Sequence, residues 1–287
     1  MSAPQVWLEG QPEGQPEGGI SVLDRGLHYG EGLFETIACL NARARLLALH
    51  LERLALGCER LHLPNPGTDS LRRRIEQVAA EVPRSLVKVL LTRGPARARG
   101  YRWGAEQGTC AIMRYAWPEP DAAAPRTGAR VRLAAMRLGE NPVLAGLKHC
   151  NRLEQVLAAN EAASAEADEA LMFSTGGELI CGTMTNVFLI DRAGGAPRIR
   201  TPEIRTCGVA GVMRRAVLRE ATRAGLPIDQ AVLRRDDLAA AHEVFLTNAR
   251  VGLWPVRVLA GRELPDGPVT AQLAALMQPL LEAPADG

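Results

Sequence analysis

The stretch Trp117-Pro-Glu-Pro-Asp-Ala-Ala-Ala-Pro-Arg126 constrains this chain more than any other. Its prolines lack the N–H that a helix or an inner strand needs, and no apolar period runs through it. It falls near the middle of 287 residues, a length beyond what one hydrophobic core usually organises. The chain therefore reads as two domains: a smaller one over 1–117, a linker at 118–126 and a larger one over 127–287.

Both halves mix strands and helices. In the first, 5–8 reads as a strand, and the near-repeat Glu9-Gly-Gln-Pro-Glu-Gly-Gln-Pro-Glu-Gly18 as a turn or hairpin connection. Strands are expected at 33–40 and 45–49. A helix follows in which Leu51, Leu54, Cys58 and Leu61 recur at helical spacing, and then another over 70–82. Strands at 85–92 and 109–115 complete this half. The second half reads as a strand at 129–134, a helix at 151–162 with Leu153, Val156 and Leu157 on its apolar side, and a strand at 170–173. A strand pair or bulged strand follows within 178–190, then a short strand at 198–202 and a helix opened by 208–215 that runs to 224. Strands at 228–233, 243–248 and 253–258 alternate with a short helix at 238–241, and a helix at 269–281 closes the chain. No regular βαβ period emerges, so the expected class is α+β rather than a doubly wound sheet.

Several functions find no support. Net charge is +2 with no basic block, which gives nucleic acid no footprint. No apolar run approaches the length of a membrane span, and Met1-Ser-Ala-Pro-Gln-Val-Trp-Leu8 has neither the charged nor the apolar region of a secretory signal. Six cysteines (39, 58, 110, 150, 181 and 207) are scattered without CxxC pairs, as expected for reduced thiols in a cytoplasmic protein without a metal site.

Of 34 basic side chains only Lys88 and Lys148 are lysines. Arginine stays protonated, whereas a buried lysine can shed its proton and attack a carbonyl. Lys148, in Leu144-Ala-Gly-Leu-Lys-His-Cys-Asn-Arg-Leu-Glu-Gln155, is thus a Schiff-base candidate; the alternative is a surface lysine at a helix start. Lys88 stands in the apolar strand at 85–92, sharing a face with Leu86, Leu90 and Thr92. It occupies either an edge or the wall of a pocket. His149 is more simply structural than a base. The glycines of Tyr29-Gly-Glu-Gly32 do not make a nucleotide loop, and no GxSxG elbow exists. Gly208-Val-Ala-Gly-Val-Met-Arg214 places small residues ahead of a helix, whose exposed N–H groups can seat a phosphate. An imine-forming lysine and a phosphate seat together meet the requirements of a pyridoxal phosphate site.

Those residues carry a resemblance. Asp24-Arg-Gly-Leu-His-Tyr-Gly-Glu-Gly-Leu-Phe-Glu-Thr36, His50-Leu-Glu-Arg-Leu54, Lys88-Val-Leu-Leu-Thr-Arg-Gly94, Arg99-Gly-Tyr101, the Lys148 stretch, Asn186-Val-Phe188, 208–214 and Glu243-Val-Phe-Leu-Thr-Asn248 resemble the fold-type IV pyridoxal 5′-phosphate enzymes. That class includes the branched-chain and D-amino-acid aminotransferases. Lys-His-x-Asn-Arg-Leu-Glu-Gln and Arg-Gly-Tyr are closer to its bacterial aminodeoxychorismate lyases. The resemblance implies a homodimeric two-domain lyase of folate biosynthesis, with an aminotransferase as the alternative and a non-catalytic relative as a further one.

It also implies roles. Lys148 holds the cofactor as a Schiff base and serves as acid and base. Arg53, the backbone of Val212 and Met213, and the turn Thr247, Asn248 and Ala249 bind the phosphate. Tyr29, Phe34, Lys88, Arg99 and Tyr101 line the substrate side, where a dicarboxylate suits Lys88 and Arg99. One position departs: where the family places a glutamate against the pyridine nitrogen, this chain has Cys181. Glu178, three residues away, would face the other side of an extended strand. The loss weakens the cofactor as an electron sink and disfavours transamination more than an elimination driven by aromatisation.

Overall fold

The computed structural model describes residues 5–8, 19–104, 107–118, 128–191, 197–265 and 267–282. The near-repeat at 9–18 and the linker beyond Pro118 lie outside the described residues. The chain divides into two compact units. One holds the described residues of Met1–Pro118, Leu147–Asn151 and Glu282–Gly287; the other holds those of Glu119–Gly146 and Arg152–Leu281.

The first unit is built on an antiparallel sheet ordered β1-β5-β4-β2-β3, from β1 (Gln5–Leu8), β2 (Gly32–Leu40), β3 (Arg43–Ala44), β4 (Arg84–Thr92) and β5 (Thr109–Ala116). β2 and β4 pair without interruption from Gly32↔Thr92 to Leu40↔Arg84. Side chains alternate across a strand. Leu33, Glu35, Ile37, Val87, Val89 and Leu91 accordingly share the buried face, while Phe34, Thr36, Leu86, Lys88 and Leu90 share a half-buried one. Helix α2 (Leu47–Leu61) covers the buried face with Leu47, Leu51, Leu54 and Cys58. Gly57 lets it approach, since a Cβ there would stand 2.6 Å from Leu33 Cδ1. Helix α3 (Thr68–Ala80) adds Leu71, Ile75 and Val78 to the core. Helix α1 (Arg25–Tyr29) is capped by Asp24, which accepts the Gly26 N–H at 2.7 Å.

Two expectations change in this unit. The strand expected at 45–49 is only β3, because the left-handed residues Asn41 and Ala42 turn the chain early and left-handed Leu46 opens α2 at Leu47. The larger domain expected over 127–287 does not run unbroken by contacts. Residues 147–151 add to β2: Phe34 N–H donates to the Lys148 carbonyl at 3.0 Å and Cys150 N–H to the Gly32 carbonyl at 2.9 Å. Leu33 and His149 form an antiparallel bridge between those bonds.

The second unit is a mixed sheet ordered β11-β10-β9-β12-β13-β6-β7-β8, with β14 on β13. Its strands are β6 (Ala129–Leu138), β7 (Glu169–Ser174), β8 (Leu179–Gly182), β9 (Asn186–Asp191), β10 (Arg198–Pro202), β11 (Ile228–Ala231), β12 (Glu243–Asn248), β13 (Gly252–Leu259) and β14 (Arg262–Glu263). Helices α4 (Leu153–Ser164), α5 (Val212–Arg223), α6 (Arg235–Ala240) and α7 (Pro268–Glu282) complete it. The stretch 178–190 is two strands in different places: β8 pairs β7, whereas β9 lies between β10 and β12.

Helix α4 turns opposite to expectation. Leu153, Val156 and Leu157 are 70%, 51% and 47% exposed, while Ala158 and Ala162 are buried with Ala134, Ala170 and Met172. Small residues let the helix lie close on β6 and β7, and the bulky stripe points outward. At the centre of the sheet Phe188 stacks on Phe245, with centroids 4.7 Å apart and planes at 4°; neither ring is exposed. Phe188→Ala leaves a ring-sized cavity there and lowers unfolding stability by about 3–5 kcal/mol, read as a fall in the urea midpoint.

Candidate active site

In the first unit the two faces of β2 carry different chemistry. On the half-buried face, the Lys148 Nζ lies 4.2 Å from the Phe34 ring centroid and the Lys88 Nζ 5.3 Å from the same centroid. Lys88 stands opposite Thr36 in the β2–β4 register, so it walls this face rather than an outer edge. Two lysine amines thus share one aromatic ring.

On the buried face, Glu35 is the hub. Its carboxylate accepts Arg53 Nε at 2.8 Å and Arg53 Nη2 at 2.5 Å, and meets His50 Nδ1 at 2.6 Å. Burial opposes its ionisation, but the Arg53 charge and the His50 contact outweigh this and hold it down to about 2. His50 is itself pushed below its ordinary value, by burial first and by the Arg53 and Lys148 charges, against the pull of Glu35. It is therefore an uncharged donor near neutral pH, and Arg53 supplies the charge that keeps Glu35 ionised. His50 Nε2 is buried with no hydrogen-bond partner among the described residues.

The loop with Arg99 and Tyr101 is exposed. Tyr29 of α1 and Tyr101 lie with rings 5.3 Å apart. The structure thus brings Lys148, Phe34 and Lys88 to one face, Tyr29 to Tyr101, and Arg53 to Glu35 and His50.

In the second unit, α5 begins at Val212 and Met213, both buried, behind N-cap Gly211, with no side chain capping the first turn. The approach loop is braced twice. Gly146 N–H donates to the Gly208 carbonyl at 3.0 Å and Ala210 N–H to the Gly146 carbonyl at 3.1 Å, two residues along the chain from Lys148. Asn186 Nδ2 donates to the Val209 carbonyl at 2.9 Å, and a Cβ at Gly211 would collide with Asn186 Oδ1. Asn186 faces Thr247 in the β9–β12 register. Thr247 is 1% exposed and its Oγ1 has no hydrogen-bond partner among the described residues. Asn248 turns its Oδ1 to the N–H groups of Arg250 and Val251 at 3.0 and 2.9 Å, which shapes the turn carrying Ala249.

Cys181 sits on β8 opposite Met172, buried in the cluster with Ile180 and Cys207. Burial first, then the Glu169 charge, pushes its thiol up to about 12, so it is neutral at physiological pH. Glu178 lies outside β8, in the turn from β7, 3.8 Å from Arg234. Glu169 is the buried carboxylate here, and its oxygens are occupied. They accept Ala170 N–H at 2.9 Å, Thr183 N–H at 2.9 Å, Thr183 Oγ1 at 2.5 Å, Met184 N–H at 3.2 Å and Thr185 Oγ1 at 2.9 Å.

An uncapped helix N-terminus beside an orphaned buried hydroxyl fits a phosphate, and an amine on an aromatic-walled sheet face fits an imine with an aldehyde. The second unit's residues therefore suit a phosphate, and the first unit's an aldehyde, the two groups that pyridoxal 5′-phosphate carries. The residues do not offer its ring nitrogen a charged partner at Cys181.

Sequence reasoning missed Glu35, His50, Asn186 and Glu169 as parts of the site. Glu35 carried a usable signal, since alternation places it with Leu33 and Ile37, where a carboxylate demands a partner. Glu169 carried none, because its partners come from a turn that only the fold brings back.

The class follows from comparison as well as geometry. Residues 32–259 match the amino-transferase class IV family, and the chain belongs to it. It is similar to the aminodeoxychorismate lyase of Vibrio harveyi, 30% identical over 272 residues that cover 93% of this chain and 97% of that protein. Among solved structures it is similar to 4-amino-4-deoxychorismate lyase from Pseudomonas aeruginosa, with TM-score 0.87 and 37% identity over 95% of this chain and 98% of that one. A hypothetical aminotransferase from Mycobacterium tuberculosis in its PLP-bound form shares the fold, with TM-score 0.85 and 22% identity over 97% and 99%.

The buried ion pair sets a pH dependence. Glu35 is depressed from 4.5 to about 2, so its contribution is complete above pH 4.5 and is lost as pH falls toward 2. By linkage that contribution is about 3 kcal/mol. Glu35→Gln flattens this part of the curve of unfolding free energy against pH, measured by urea titration between pH 2 and 6.

Proposed function

We propose that the protein is a pyridoxal 5′-phosphate-dependent lyase that converts 4-amino-4-deoxychorismate to 4-aminobenzoate and pyruvate. The carrying observation is the pair of lysines on the Phe34 ring, Lys148 at 4.2 Å and Lys88 at 5.3 Å. One amine can hold an aldehyde while the other meets a carboxylate. The similarity to two lyases along nearly their whole length supports the same conclusion.

When bound, pyridoxal 5′-phosphate supplies an electron sink for the carbon that bears the substrate's amino group. Lys148 would hold the cofactor through its Nζ and, in its neutral form, would take the proton from C4; the enolpyruvyl group leaves C3 and takes up a proton to become pyruvate, and aromatisation of the ring draws the elimination forward. By the family resemblance Arg53, held in its fork by Glu35, would bind the phosphate, a role that resemblance also gives to the first N–H groups of α5 at Val212 and Met213 and to the turn of Thr247, Asn248 and Ala249. Tyr29, Phe34, Lys88, Arg99 and Tyr101 receive the substrate, the two cationic side chains taking its carboxylates. Neutral Cys181 leaves the ring nitrogen without a carboxylate, which handicaps amino transfer more than elimination. We place the enzyme in the cytoplasm as a homodimer, to be checked by fractionation and by sedimentation of the purified protein; among the described residues no helix is long and apolar enough to cross a membrane.

The deciding measurement is a paired assay: pyruvate and 4-aminobenzoate release beside amino transfer from D-alanine and L-leucine to 2-oxoglutarate. Lyase turnover is expected to exceed both transfers, and the reverse order overturns the assignment. Lys148→Ala loses the visible absorbance of the bound cofactor and at least about a thousandfold in lyase kcat/KM; a band that persists unchanged removes Lys148 from its role. Cys181→Glu raises amino transfer by about tenfold relative to lyase activity, as a carboxylate against the ring nitrogen strengthens the electron sink.

A further inference from the structure

The loop that carries Arg99 and Tyr101 is tied down by a clamp buried behind it. All of 97–104 is exposed, Tyr101 at 83%. Gly100, at φ 120°, holds a backbone conformation that other residues resist. Such a loop has little apolar burial with which to order itself.

Arg25, 3% exposed, reaches it with both terminal nitrogens: Nη1 donates to the Gly100 carbonyl at 2.9 Å and Nη2 to the Tyr101 carbonyl at 3.1 Å. Its guanidinium lies 4.9 Å from the Tyr29 ring, which in turn meets Tyr101. Arg93, 5% exposed, holds the far side of the loop, its guanidinium 4.4 Å from the Trp103 ring and its Nη2 on the Leu61 carbonyl at 2.9 Å. One carboxylate joins the two. Glu31 accepts Arg25 Nε at 2.6 Å on one oxygen and Arg93 Nε on the other. Burial works against its ionisation, but the hydrogen bonds and charges of Arg93 and Arg25 prevail and hold it below its ordinary value. The backbone repeats the link, with Arg93 N–H donating to the Glu31 carbonyl at 3.1 Å.

Two buried guanidiniums and a carboxylate are a costly way to fix an exposed loop that has only to be a connection. The planar fork of Arg25 spans two successive carbonyls, which fixes the direction in which the residues on either side project. We infer that Glu31, acting through Arg25 and Arg93, is the positioning residue that presents Arg99 and Tyr101 to a substrate with two carboxylates. This rests on the lyase function proposed above. Glu31 acts here through Arg25 and Arg93, so its effect falls on substrate capture and not on the proton transfer at Lys148.

The test compares wild type, Glu31→Gln and Arg25→Lys, each loaded with pyridoxal 5′-phosphate. Arg25→Lys keeps a charge beside Glu31 but cannot span both carbonyls. Both variants are expected to raise KM for 4-amino-4-deoxychorismate by about tenfold, with kcat within about threefold of wild type and the cofactor absorbance unchanged. An unchanged KM overturns the inference, as does a kcat that falls together with the absorbance, since the substitution would then act on the fold around Lys148. If wild type releases no 4-aminobenzoate, the lyase function fails and the clamp is read on the loop itself. Amide hydrogen exchange over 97–104 then accelerates by about tenfold in Glu31→Gln if the clamp holds the loop, and equal exchange in variant and wild type refutes it.

Discussion

The two-sidedness of β2 is the constraint on which the first unit depends. A strand shows alternate residues to opposite faces, so Phe34 and Glu35 are neighbours in sequence and strangers in environment. One meets the Lys148 amine; the other is buried beneath α2, where His50 and Arg53 of that helix reach it. The strand also accepts the Lys148 segment through backbone bonds at Gly32 and Phe34. A one-residue slip of β2 against β4 would bury Phe34 and Thr36 and expose Glu35. Pairing over the whole strand is what forbids the slip.

Buried carboxylates recur as the devices that shape loops. Glu35 holds an arginine, Glu31 holds two, and Glu169 accepts five donors from the strand start and the turn at 183–185. A carboxylate accepts through two oxygens in several directions, so one side chain can satisfy a turn whose N–H groups have no ladder partner. The Glu169 turn leads directly into Asn186, which braces the loop before α5. Removing such a hub strands several buried donors at once, a larger penalty than losing any single bond.

What was legible in the sequence was local. Lys148 and Lys88 stood out because arginine had taken every other basic position, and the strands at 85–92 and 243–248 announced themselves by β-branched and apolar runs. The helix at 151–162 was legible as a helix but not in its orientation. Periodicity reports that Leu153, Val156 and Leu157 share a face; only packing reports that Ala158 and Ala162 let the other face approach β6 and β7. The strand at 45–49 failed for a related reason, since left-handed Asn41, Ala42 and Leu46 leave no apolar signature. The attachment of 147–151 to β2 was hidden because it joins residues more than a hundred apart in the chain.

Cys181 stands where the family resemblance expects a carboxylate against the cofactor's ring nitrogen, and its own surroundings are those of a packed apolar residue. Its thiol is packed among apolar side chains and pushed up to about 12, so it behaves as a small hydrophobe. The nearby carboxylate of Glu169 cannot replace the missing one, because each of its oxygens already serves the turn at 183–185. A cofactor nitrogen that meets a neutral thiol stabilises negative charge less well than one that meets a carboxylate. Amino transfer needs that charge stored long enough for a proton to move between two carbons. Elimination needs it only until the leaving group departs, and an aromatic product makes that departure effectively irreversible. In the proposed lyase, the tolerance of cysteine at 181 therefore follows from where the driving force lies: in the substrate ring rather than in the protein's hold on the cofactor.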